Sequence, residues 1–558
     1  TIKTDILIIG AGVAGLRSAC LLGEAGFSVV VCEARKRIGG RTFSTEPATS
    51  SSSSASKERL DFGAQWIGPN QHRVLALCER YKIELFEQHC KDSSLLRVRE
   101  FVFKYSGTIP SLPIMYLLSL QTAIWRIDAL ARRVPLCAPW KTIDAGLYDH
   151  VSVQDWLDKE VYFQDVRSVL IAAIKSVFFE NTSEMSFLWF LFYVHSAGGL
   201  MSLCDVVGGA QEMRFTNGAS SLSECMLREL KSLNNVNVVL DDAVQSVENY
   251  EQQAKKHGDD VLVTTKSGKV YQCKQVIGAI SPQLCSKIEF KPKCERQYLG
   301  THGMNSGCAI KFFLYYKTAW WRQHNLSGEI VSCRSDDMLH LTYDACTASG
   351  NTNALVGFVC GESARLLREQ TRDASDPVAA RGKWLEQRIV VMSTVDAADV
   401  PAALAYRELD WQHEKYTDGC VNSTKPGGWL TRLRGVDDES VEFQPERPFG
   451  WSDISRPCGR VLWAGAECAV HWNGYIDGAI ESAELASFMA LHTLSHVHGI
   501  APKSDKCELV RLNALRETDT RAVTAWPGGV RVADSWCNWI GRLRWPILFY
   551  IIYAYANG

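Results

Sequence analysis

A glycine-rich turn between two apolar runs near the N-terminus constrains the fold of this chain most. The run Asp5–Ile9 is followed by three glycines in the pattern GxGxxG, which are Gly10, Gly12 and Gly15. A helical pattern through Leu22 comes next, and a second β-branched run, Phe27–Cys32, ends at Glu33. Glycines at this spacing permit a tight turn and let a diphosphate approach a helix N-terminus, while a carboxylate after the second strand accepts hydrogen bonds from a ribose. The order of these features predicts a βαβ unit that binds a dinucleotide.

The composition excludes several classes of partner. At 558 residues the chain is too long for a single hydrophobic core, so we expect two or more lobes. With 46% hydrophobic and 22% charged residues it is typical of ordered globular proteins, and a formal charge of −2 provides no basic field for nucleic acid. The 19 cysteines include no CxxC pair, and the N-terminus has no secretory signal pattern. We therefore expect reduced thiols, no nucleic acid partner and no metal site.

The rest of the chain alternates between helical and strand-rich stretches. Residues from Val151 to about Gly199 have a helical pattern rich in aromatic side chains, which favours the packed wall of a lobe. Five short strand-like runs then predict a meander: Val236–Leu240, Ala243–Val247, Val261–Thr265, Val270–Cys273 and Val276–Ile280. Lys311–Tyr316 opens a second strand-rich region, and a last buried strand at Gly459–Gly465 leads to a helix near Ala479–Leu491. The stretch Glu46–Glu58, with five consecutive serines, is typical of a mobile surface insertion.

The residues after Glu33 distinguish flavin from nicotinamide cofactors, since the GxGxxG fingerprint serves both. The segment after Glu33 contains Arg35 and ends in the sequence GGRT. We expect five of its residues at the cofactor: Arg35, Gly39, Gly40, Arg41 and Thr42. Two consecutive glycines let main chain lie against a cofactor, and an arginine supplies charge-assisted donors to phosphate oxygens. This segment resembles the GGRT extension of the flavin amine oxidases and implies FAD as the cofactor.

Other segments are similar to the monoamine oxidases in particular. The stretch LDFGAQWIGPNQHR at Leu60–Arg73 resembles one that borders the flavin in that family, and residues 208–215 repeat a second local pattern. WAGAE at 463–467 and HWNGYIDGAIESAEL at 471–485 look like the closing FAD motif. The resemblance covers residues 4 to 495 and implies further cofactor contacts at Gly63, Gln65, Val244, Gly465, Glu467, Tyr475 and Ile476.

By this resemblance, the fold class is α/β. A Rossmann-like FAD-binding domain would be assembled from the separate segments 1–80, 206–290 and 441–500. A substrate domain of α+β type would combine the helical segment 81–205 with a mixed sheet in 291–440, and residues 501–558 would form a C-terminal helical tail.

Candidate catalytic residues follow from what amine oxidation requires. The carbon next to nitrogen gives a hydride equivalent to the flavin, so the protein must position a neutral amine in an apolar slot. Lys311 lies in an otherwise apolar strand, where a lysine is costly unless paired or functional and where burial should lower its pKa. It matches the family lysine that holds a water against the flavin. The resemblance also assigns three residues to the catalytic site, Gln211, Trp411 and Tyr475, and two to a gate, Cys204 and Leu341.

Cys420 distinguishes subfamilies. Its segment resembles the one whose cysteine forms a thioether with the flavin in monoamine oxidases, a link that polyamine and amino-acid oxidases generally lack. The next residue departs from the family, because Val421 stands where monoamine oxidases have a tyrosine that faces a second one across the amine. Tyr475 matches only the second tyrosine. The resemblance therefore implies half of an aromatic sandwich, unless another aromatic residue such as Trp429 fills the place.

The C-terminal segment Trp545–Ala556 is apolar or aromatic and follows two arginines. A helix of this length reaches about 18 Å, short of the roughly 30 Å hydrocarbon core, so the segment by itself does not span a membrane. Monoamine oxidases end in a tail helix in the mitochondrial outer membrane. The resemblance implies membrane association through this tail, on the cytosolic face; without an anchor we expect a cytoplasmic protein. A docked amphipathic or core helix is the alternative.

Together these features predict an FAD-dependent enzyme that converts an amine, dioxygen and water into an aldehyde, hydrogen peroxide and ammonia. Its expected partners are a small amine and dioxygen. Assembly of two copies of the chain into a homodimer is left as an open alternative. A polyamine or L-amino-acid oxidase is one alternative, and would need acidic residues along the tunnel or an arginine for the substrate carboxylate. A catalytically weak FAD-binding scaffold is another, because of Val421 and the altered segment after it.

Overall fold

A computed structural model describes residues 1–48, 58–107, 111–250, 260–334, 336–432, 454–496, 498–502 and 507–509. Most of the serine-rich insertion and the apolar C-terminal segment lie outside these ranges. Residues Thr1–Ser504 form one compact unit. Over the described residues, no helix combines the length and apolarity that crossing a membrane requires.

Five parallel strands from distant parts of the chain form the sheet that begins at the N-terminal βαβ unit. Their order across the sheet is Val236–Val239, Val29–Cys32, Ile6–Ile9, Gln275–Gly278 and Val461–Trp463. All four residues of each of the three middle strands are buried, as expected for strands covered on both faces. The carboxyl ends of these strands, including the one that leads into Gly10, therefore meet at one edge of the sheet.

The predicted meander is partly wrong. Its three middle runs do pair antiparallel, in a sheet ordered Ile2–Lys3, Val270–Cys273, Val261–Thr265, Val244–Glu248 and Glu289–Lys291. Its first and last runs belong instead to the parallel sheet. A short β-branched run specifies a strand but not its partner, and the last run is buried on both faces, which only the parallel sheet provides.

A third sheet carries Lys311. Its seven strands are ordered Ala405–Asp410, Ala309–Tyr316, Asn353–Cys360, Leu341–Asp344, Leu326–Ser332, Ser93–Val98 and Phe101–Tyr105. Every residue of Ala309–Tyr316 is buried. Phe312 and Leu314 pack into one hydrophobic cluster, and Phe313 packs with Phe62 in another. Because side chains alternate along a strand, Lys311 lies on the Phe313 side of the sheet.

Short strands complete the sheets. A three-stranded sheet joins Trp66–Ile67, Met213–Phe215 and Leu85–Glu87; two pairs join Ser44–Thr45 with Leu60–Asp61 and Met304–Ser306 with Asn422–Thr424.

Helices cover the sheets. They span Val13–Glu24, His72–Tyr81, Ile114–Ala131, Ala145–His150, Val153–Glu160, Gln164–Phe178, Phe187–Ser196, Leu200–Cys204, Ser220–Lys231, Pro282–Cys285, Glu295–Tyr298, Trp320–Gln323, Glu362–Thr371, Pro377–Ser393, Trp429–Arg432 and Ile476–His496. The aromatic-rich stretch predicted to be helical is so, and nearly all of Phe187–Ser196 is buried core. The α/β fold class is confirmed, while the domain boundaries stay a prediction.

The first and last of the long helices pack together. Arg17 of Val13–Glu24 donates to Glu484 of Ile476–His496 at 3.0 Å, and both side chains are buried. A charge pair in this setting ties these two helices, which lie far apart in sequence, to each other beside the parallel sheet.

Candidate active site

A cavity of about 560 Å³ runs from the carboxyl edge of the parallel sheet to the strand that carries Lys311. Most of the predicted site residues line it: Gly10, Gly12, Glu33, Arg35, Gly39, Gly40, Arg41, Thr42, Gly63, Gln65, Gln211, Val244, Lys311, Trp411, Cys420, Gly465, Tyr475 and Ile476. Residues more than 400 positions apart in sequence thus share one wall.

One end of the cavity, which we call the dinucleotide end, is formed by the first turn of the chain. Helix Val13–Glu24 begins there with no side chain capping its N-terminus and no acidic residue in its first turn. A Cβ added at Gly12 would meet no atom within 4 Å, so the glycine leaves open space at the helix end. An uncapped helix N-terminus beside open space fits a diphosphate group.

The glycines of the GxGxxG pattern have different structural roles. Gly10 has a φ of 99°, a conformation that favours glycine, and makes the tight turn. Gly15 does not line the cavity: a Cβ there would lie 1.9 Å from the Gly10 carbonyl oxygen. This glycine lets helix and turn approach each other, and the expectation that Gly15 contacts the cofactor stays a prediction.

Glu33 is fixed by main chain at the dinucleotide end. Its two carboxylate oxygens accept from the backbone N–H groups of Ala11, at 2.7 Å, and Arg35, at 2.9 Å. The Arg35 side chain turns towards the segment that precedes Cys420 and donates to Thr417 Oγ1 at 2.5 Å. The carboxylate is thus oriented before any ribose binds.

Arg41 forms an ion pair with a buried carboxylate in the middle of the cavity wall. Its Nη1 and Nη2 donate to the two carboxylate oxygens of Glu467 at 2.5 and 3.0 Å, and Asn422 Nδ2 donates to the same carboxylate at 2.5 Å. Burial would raise the pKa of Glu467, but the Arg41 guanidinium holds that pKa below its usual value. Glu467 pairs with Arg41 and is not among the described lining residues, so its expected contact with the cofactor stays a prediction.

Lys311 is held by two acceptors. Its Nζ donates to the Gly63 carbonyl oxygen at 2.8 Å and to Gln65 Oε1 at 2.5 Å. Three aromatic rings surround the amine with centroids 5.4 to 5.8 Å away: Trp66, Phe313 and Phe358. Burial lowers the pKa of Lys311 to about 7, although the charge of Asp61 opposes the shift. The amine therefore changes charge near neutral pH.

Two buried amide atoms at the wall have no hydrogen-bond partner among the described residues. Gln65 Nε2 is one, and Gln211 Oε1 is the other. Gln211 is oriented by its Nε2, which donates to the Leu203 carbonyl oxygen at 2.8 Å. Buried polar groups in proteins are nearly always paired, so these two atoms are available to a ligand or to a water molecule in the cavity.

The other end of the cavity, which we call the aromatic end, is lined by Trp66, Phe179, Tyr193, Phe358 and Tyr475. The Tyr475 ring lies 6.1 Å from that of Tyr193, and burial raises the pKa of the Tyr475 phenol, which stays neutral. The valine that departs from the monoamine oxidase pattern, Val421, also lines the cavity. Trp429 is not among the described lining residues and does not fill the place of the missing tyrosine.

Cys420 lies on the cavity wall in a segment anchored by Trp411. The Trp411 Nε1 donates to the Phe62 carbonyl oxygen at 2.8 Å, and the Gly419 N–H donates to the Trp411 carbonyl oxygen. Burial raises the pKa of the Cys420 thiol to about 11 even though the charge of Arg41 opposes the shift. The thiol is thus protonated at neutral pH in the absence of a ligand.

Neither of the two predicted gate residues, Cys204 and Leu341, is among the described lining residues. Cys204 is the last residue of helix Leu200–Cys204, and Leu341 is buried at the start of its strand. Phe179, in contrast, was not predicted. Its only sequence signal is a pair of aromatic residues at the end of a helical pattern, which is equally typical of core packing.

The model of the family described as flavin containing amine oxidoreductase matches residues 13–487. The chain belongs to this family. Its relatives include the flavin-containing amine oxidase B of Canis lupus familiaris, 30% identical over 89% of this chain and 87% of that protein. The flavin-containing amine oxidase A of Sus scrofa is 29% identical over 88% and 86%.

Solved structures of the same fold are also similar to this flavin amine oxidoreductase. Cyclohexylamine oxidase from Brevibacterium oxydans has a TM-score of 0.74 at 23% identity, over 88% of this chain and all of that one. Wild-type putrescine oxidase bound to putrescine has a TM-score of 0.73 at 22% identity, over 87% and 98%. The predicted resemblance and the predicted activity, flavin-dependent oxidation of amines, are therefore confirmed.

The ion pair at the cavity wall gives a test of stability. Replacing Glu467 with Gln leaves the Arg41 charge uncompensated, and we expect the free energy of unfolding at pH 7 to fall by about 3 kcal/mol. Because Arg41 holds the pKa of Glu467 below its usual value, this stability is present above the usual carboxyl pKa and is lost as the pH falls through the lowered pKa. Urea unfolding of both proteins at pH 7 and at a series of pH values below the usual carboxyl pKa measures the difference.

The matched control is Glu362→Gln, which removes one partner of the exposed pair between Glu362 and Arg365. We expect no measurable change there, since surface pairs contribute little. An equal loss of stability in the two variants would contradict a special role for the pair at the cavity wall.

Proposed function

We propose that this enzyme oxidatively deaminates neutral monoamines that carry an aromatic group, with FAD attached covalently through Cys420. The observation that supports this most is the aromatic end of the cavity, where aromatic side chains meet a single charged group, Lys311, whose pKa is near neutral. The products would be an aldehyde, hydrogen peroxide and ammonia.

The residues of the cavity fit the cofactor. Gly12, the N-terminus of helix Val13–Glu24 and Glu33 would hold the adenosine and diphosphate, and Arg41, Gln65 and Lys311 would border the flavin. A bound flavin accepts a hydride equivalent from the amine and returns the electrons to dioxygen. The protein's part is to orient the amine, exclude water and place a charge near the flavin.

The aromatic end favours the neutral form of the amine. An ammonium group would lose its hydration there without gaining a carboxylate partner, and below about pH 7 it would face the like charge of Lys311. Gln211, with its free Oε1, can accept a hydrogen bond from a neutral amine N–H. These side chains would select the form of the substrate whose carbon can donate hydride.

The same arrangement argues against the two alternative substrates. Among the described lining residues, the only carboxylate is Glu33, which main chain occupies at the dinucleotide end, so a second ammonium group of a polyamine has no partner. Arg41 gives both terminal nitrogens to Glu467, so it is poorly placed to bind the carboxylate of an amino acid.

A substrate panel tests the proposal. The panel contains phenethylamine, benzylamine, spermine and L-phenylalanine. We expect oxygen-dependent peroxide formation from phenethylamine and benzylamine, with kcat/KM at least about 100-fold higher than for spermine or L-phenylalanine. The reason is that a substrate charge buried without a partner is strongly rejected. A peroxidase-coupled assay measures each rate. No peroxide from any amine, by protein that carries flavin, would point to the scaffold alternative.

Lys311 should set the pH dependence of the reaction with dioxygen. Below about pH 7 its ammonium form can stabilise negative charge that develops on oxygen, so we expect reoxidation to slow as the pH rises through 7. In Lys311→Met this rate should fall on the order of 100-fold and no longer vary across pH 6 to 8. Stopped-flow absorbance of the reduced enzyme mixed with dioxygen measures it.

Lys317→Met is the matched control, because Lys317 is exposed just beyond the same strand. Its rate and pH profile should equal those of the unmodified enzyme. A wild-type rate in Lys311→Met would show that the buried amine has no part in this step.

Covalent attachment through Cys420 rests on its place at the cavity wall and on the resemblance of its segment to the monoamine oxidases. Attachment would break the Sγ–H bond and one C–H bond of the flavin 8α-methyl group and form a C–S bond; the two electrons released would reduce the flavin, and the two protons would pass to the reduced flavin and to solvent. Burial raises the pKa of the Cys420 thiol and Arg41 only partly opposes this shift, so the thiol would have to lose its proton as the C–S bond forms.

Acid precipitation tests the link. We expect the yellow colour to stay with the precipitated wild-type protein and to move wholly into the supernatant for Cys420→Ser, because only a covalent bond survives denaturation. Mass spectrometry of the intact chain gives the same comparison. Cys204→Ser, a change at a half-buried thiol off the cavity wall, should keep the colour in the pellet. Colour in the wild-type supernatant would exclude attachment.

The resemblance to the monoamine oxidases also supports three proposals about the protein's setting. These are association of residues 501–558 with the mitochondrial outer membrane, a cytosolic orientation, and assembly as a homodimer. The division into FAD-binding and substrate domains at the boundaries given above is proposed on the same grounds.

A further inference from the structure

Phe179 lies at the point where a helix ends against the cavity. It follows helix Gln164–Phe178 and has a φ of 55°, a left-handed conformation in which the chain leaves the helix axis. Its neighbour Phe178 is fully buried and packs on Tyr193 with ring centroids 4.5 Å apart. Phe179 is only half-buried and lines the cavity. The turn therefore sends one aromatic ring into the core and the next to the cavity wall.

Main-chain hydrogen bonds bring Phe179 beside Val421. The Cys308 N–H donates to the Phe179 carbonyl oxygen at 2.9 Å, and the preceding Gly307 N–H donates to the Val421 carbonyl oxygen at 2.8 Å. A Cβ at Gly307 would lie 2.4 Å from the Phe178 carbonyl oxygen and 2.6 Å from that of Cys420. Glycine is required here, because the two segments close on it from both sides.

The Phe179 ring continues an aromatic wall. It stacks on Phe358 with centroids 5.5 Å apart and an interplanar angle of 13°. Phe358 in turn lies 6.0 Å from Trp66, and the Lys311 amine lies 5.4 Å from the Phe358 ring. Phe358 is nearly fully buried, so Phe179 is the member of the stacked pair with more surface left for a ligand.

We propose that Phe179 is a specificity-determining residue that selects amines with a planar aromatic group. The small Val421 leaves space next to it, and the Phe179 ring, held by Phe358, offers a flat face at that space. Aromatic rings gain from stacking or edge contacts beyond the area they bury, whereas a saturated ring of similar size does not. This inference rests on the proposed function, since it assigns the aromatic group of the substrate a place in the cavity.

A pair of substrates matched in size tests the proposal. Phenethylamine and 2-cyclohexylethylamine differ only in the aromaticity of the ring. We take the ratio of kcat/KM for phenethylamine to kcat/KM for 2-cyclohexylethylamine. In Phe179→Leu we expect this ratio to decrease about 3- to 10-fold, mainly because KM for phenethylamine rises. In Phe179→Tyr we expect the wild-type ratio. Leu and Phe meet the same left-handed backbone, so the exchange adds no new backbone strain.

Phe312→Leu is the matched control. Phe312 is fully buried in the cluster on the other side of the Lys311 strand and does not line the cavity. It should lower the melting temperature and leave the substrate ratio unchanged. An unchanged ratio in Phe179→Leu, or an equal change in Phe312→Leu, would overturn the assignment.

Binding without turnover separates this inference from the proposed function. Dissociation constants of the two amines, measured under anaerobic conditions from changes in flavin absorbance, should show the same loss of aromatic preference in Phe179→Leu. If the wild-type protein oxidises neither amine, the proposed function fails. If the inactive wild-type protein also binds the two amines equally well, the assignment of Phe179 fails together with the proposed function. If it binds phenethylamine more tightly and Phe179→Leu abolishes that preference, the assignment of Phe179 is supported although the proposed function fails.

Discussion

The ion pair between Arg41 and Glu467 joins parts of the chain that are 426 positions apart. Asn422 donates to the same carboxylate, so the segment that carries Cys420 is attached to it as well. Three separate segments therefore share one buried charge. Since an unpaired charge in this position is strongly unfavourable, these contacts favour the arrangement in which all three segments are in place. The dinucleotide end and the aromatic end depend on this junction for their relative position.

Charge is distributed unevenly over the cavity. Among the described lining residues, the cationic Arg35 accompanies the uncapped helix at one end, where negative phosphates would lie. At the other end, aromatic rings surround one lysine whose pKa is near 7. A cofactor with an anionic half and a planar half matches this gradient along its length. The cavity thus distinguishes its two ligands, a dinucleotide and an amine, by polarity.

Local sequence patterns predicted the elements that depend on nearby residues. The turn at Gly10, the strand that carries Lys311 and the final helix were all found at or near their predicted positions, because each depends on spacing within a few residues. The pairing of strands was harder to predict from the sequence. Gln275–Gly278 looks like part of a hairpin region and joins the parallel sheet instead, since its partners lie far away in sequence.

The residues of the candidate site also divide into those that a local sequence pattern predicts and those whose position depends on distant segments. Glycines and charged residues in motifs, such as Gly12 and Arg41, could be assigned by the chemistry that they permit. Phe179 could not, because its position depends on a helix end, a glycine and two backbone hydrogen bonds to other segments. The pairing of Glu467 with Arg41 also follows from contacts between distant segments, which no local pattern contains.

Gly307 connects two properties that could otherwise vary independently. Its missing side chain lets the Phe178 and Cys420 carbonyl oxygens approach from opposite sides. The residue proposed to hold the flavin and the ring proposed to select the substrate therefore share one spacer. A lineage of this enzyme could change its substrate preference by exchanging the ring itself, but any larger residue at the spacer would shift the cofactor link and the aromatic wall together. A substitution at Gly307 would therefore alter both properties at once, whereas a substitution of the Phe179 ring would alter only one.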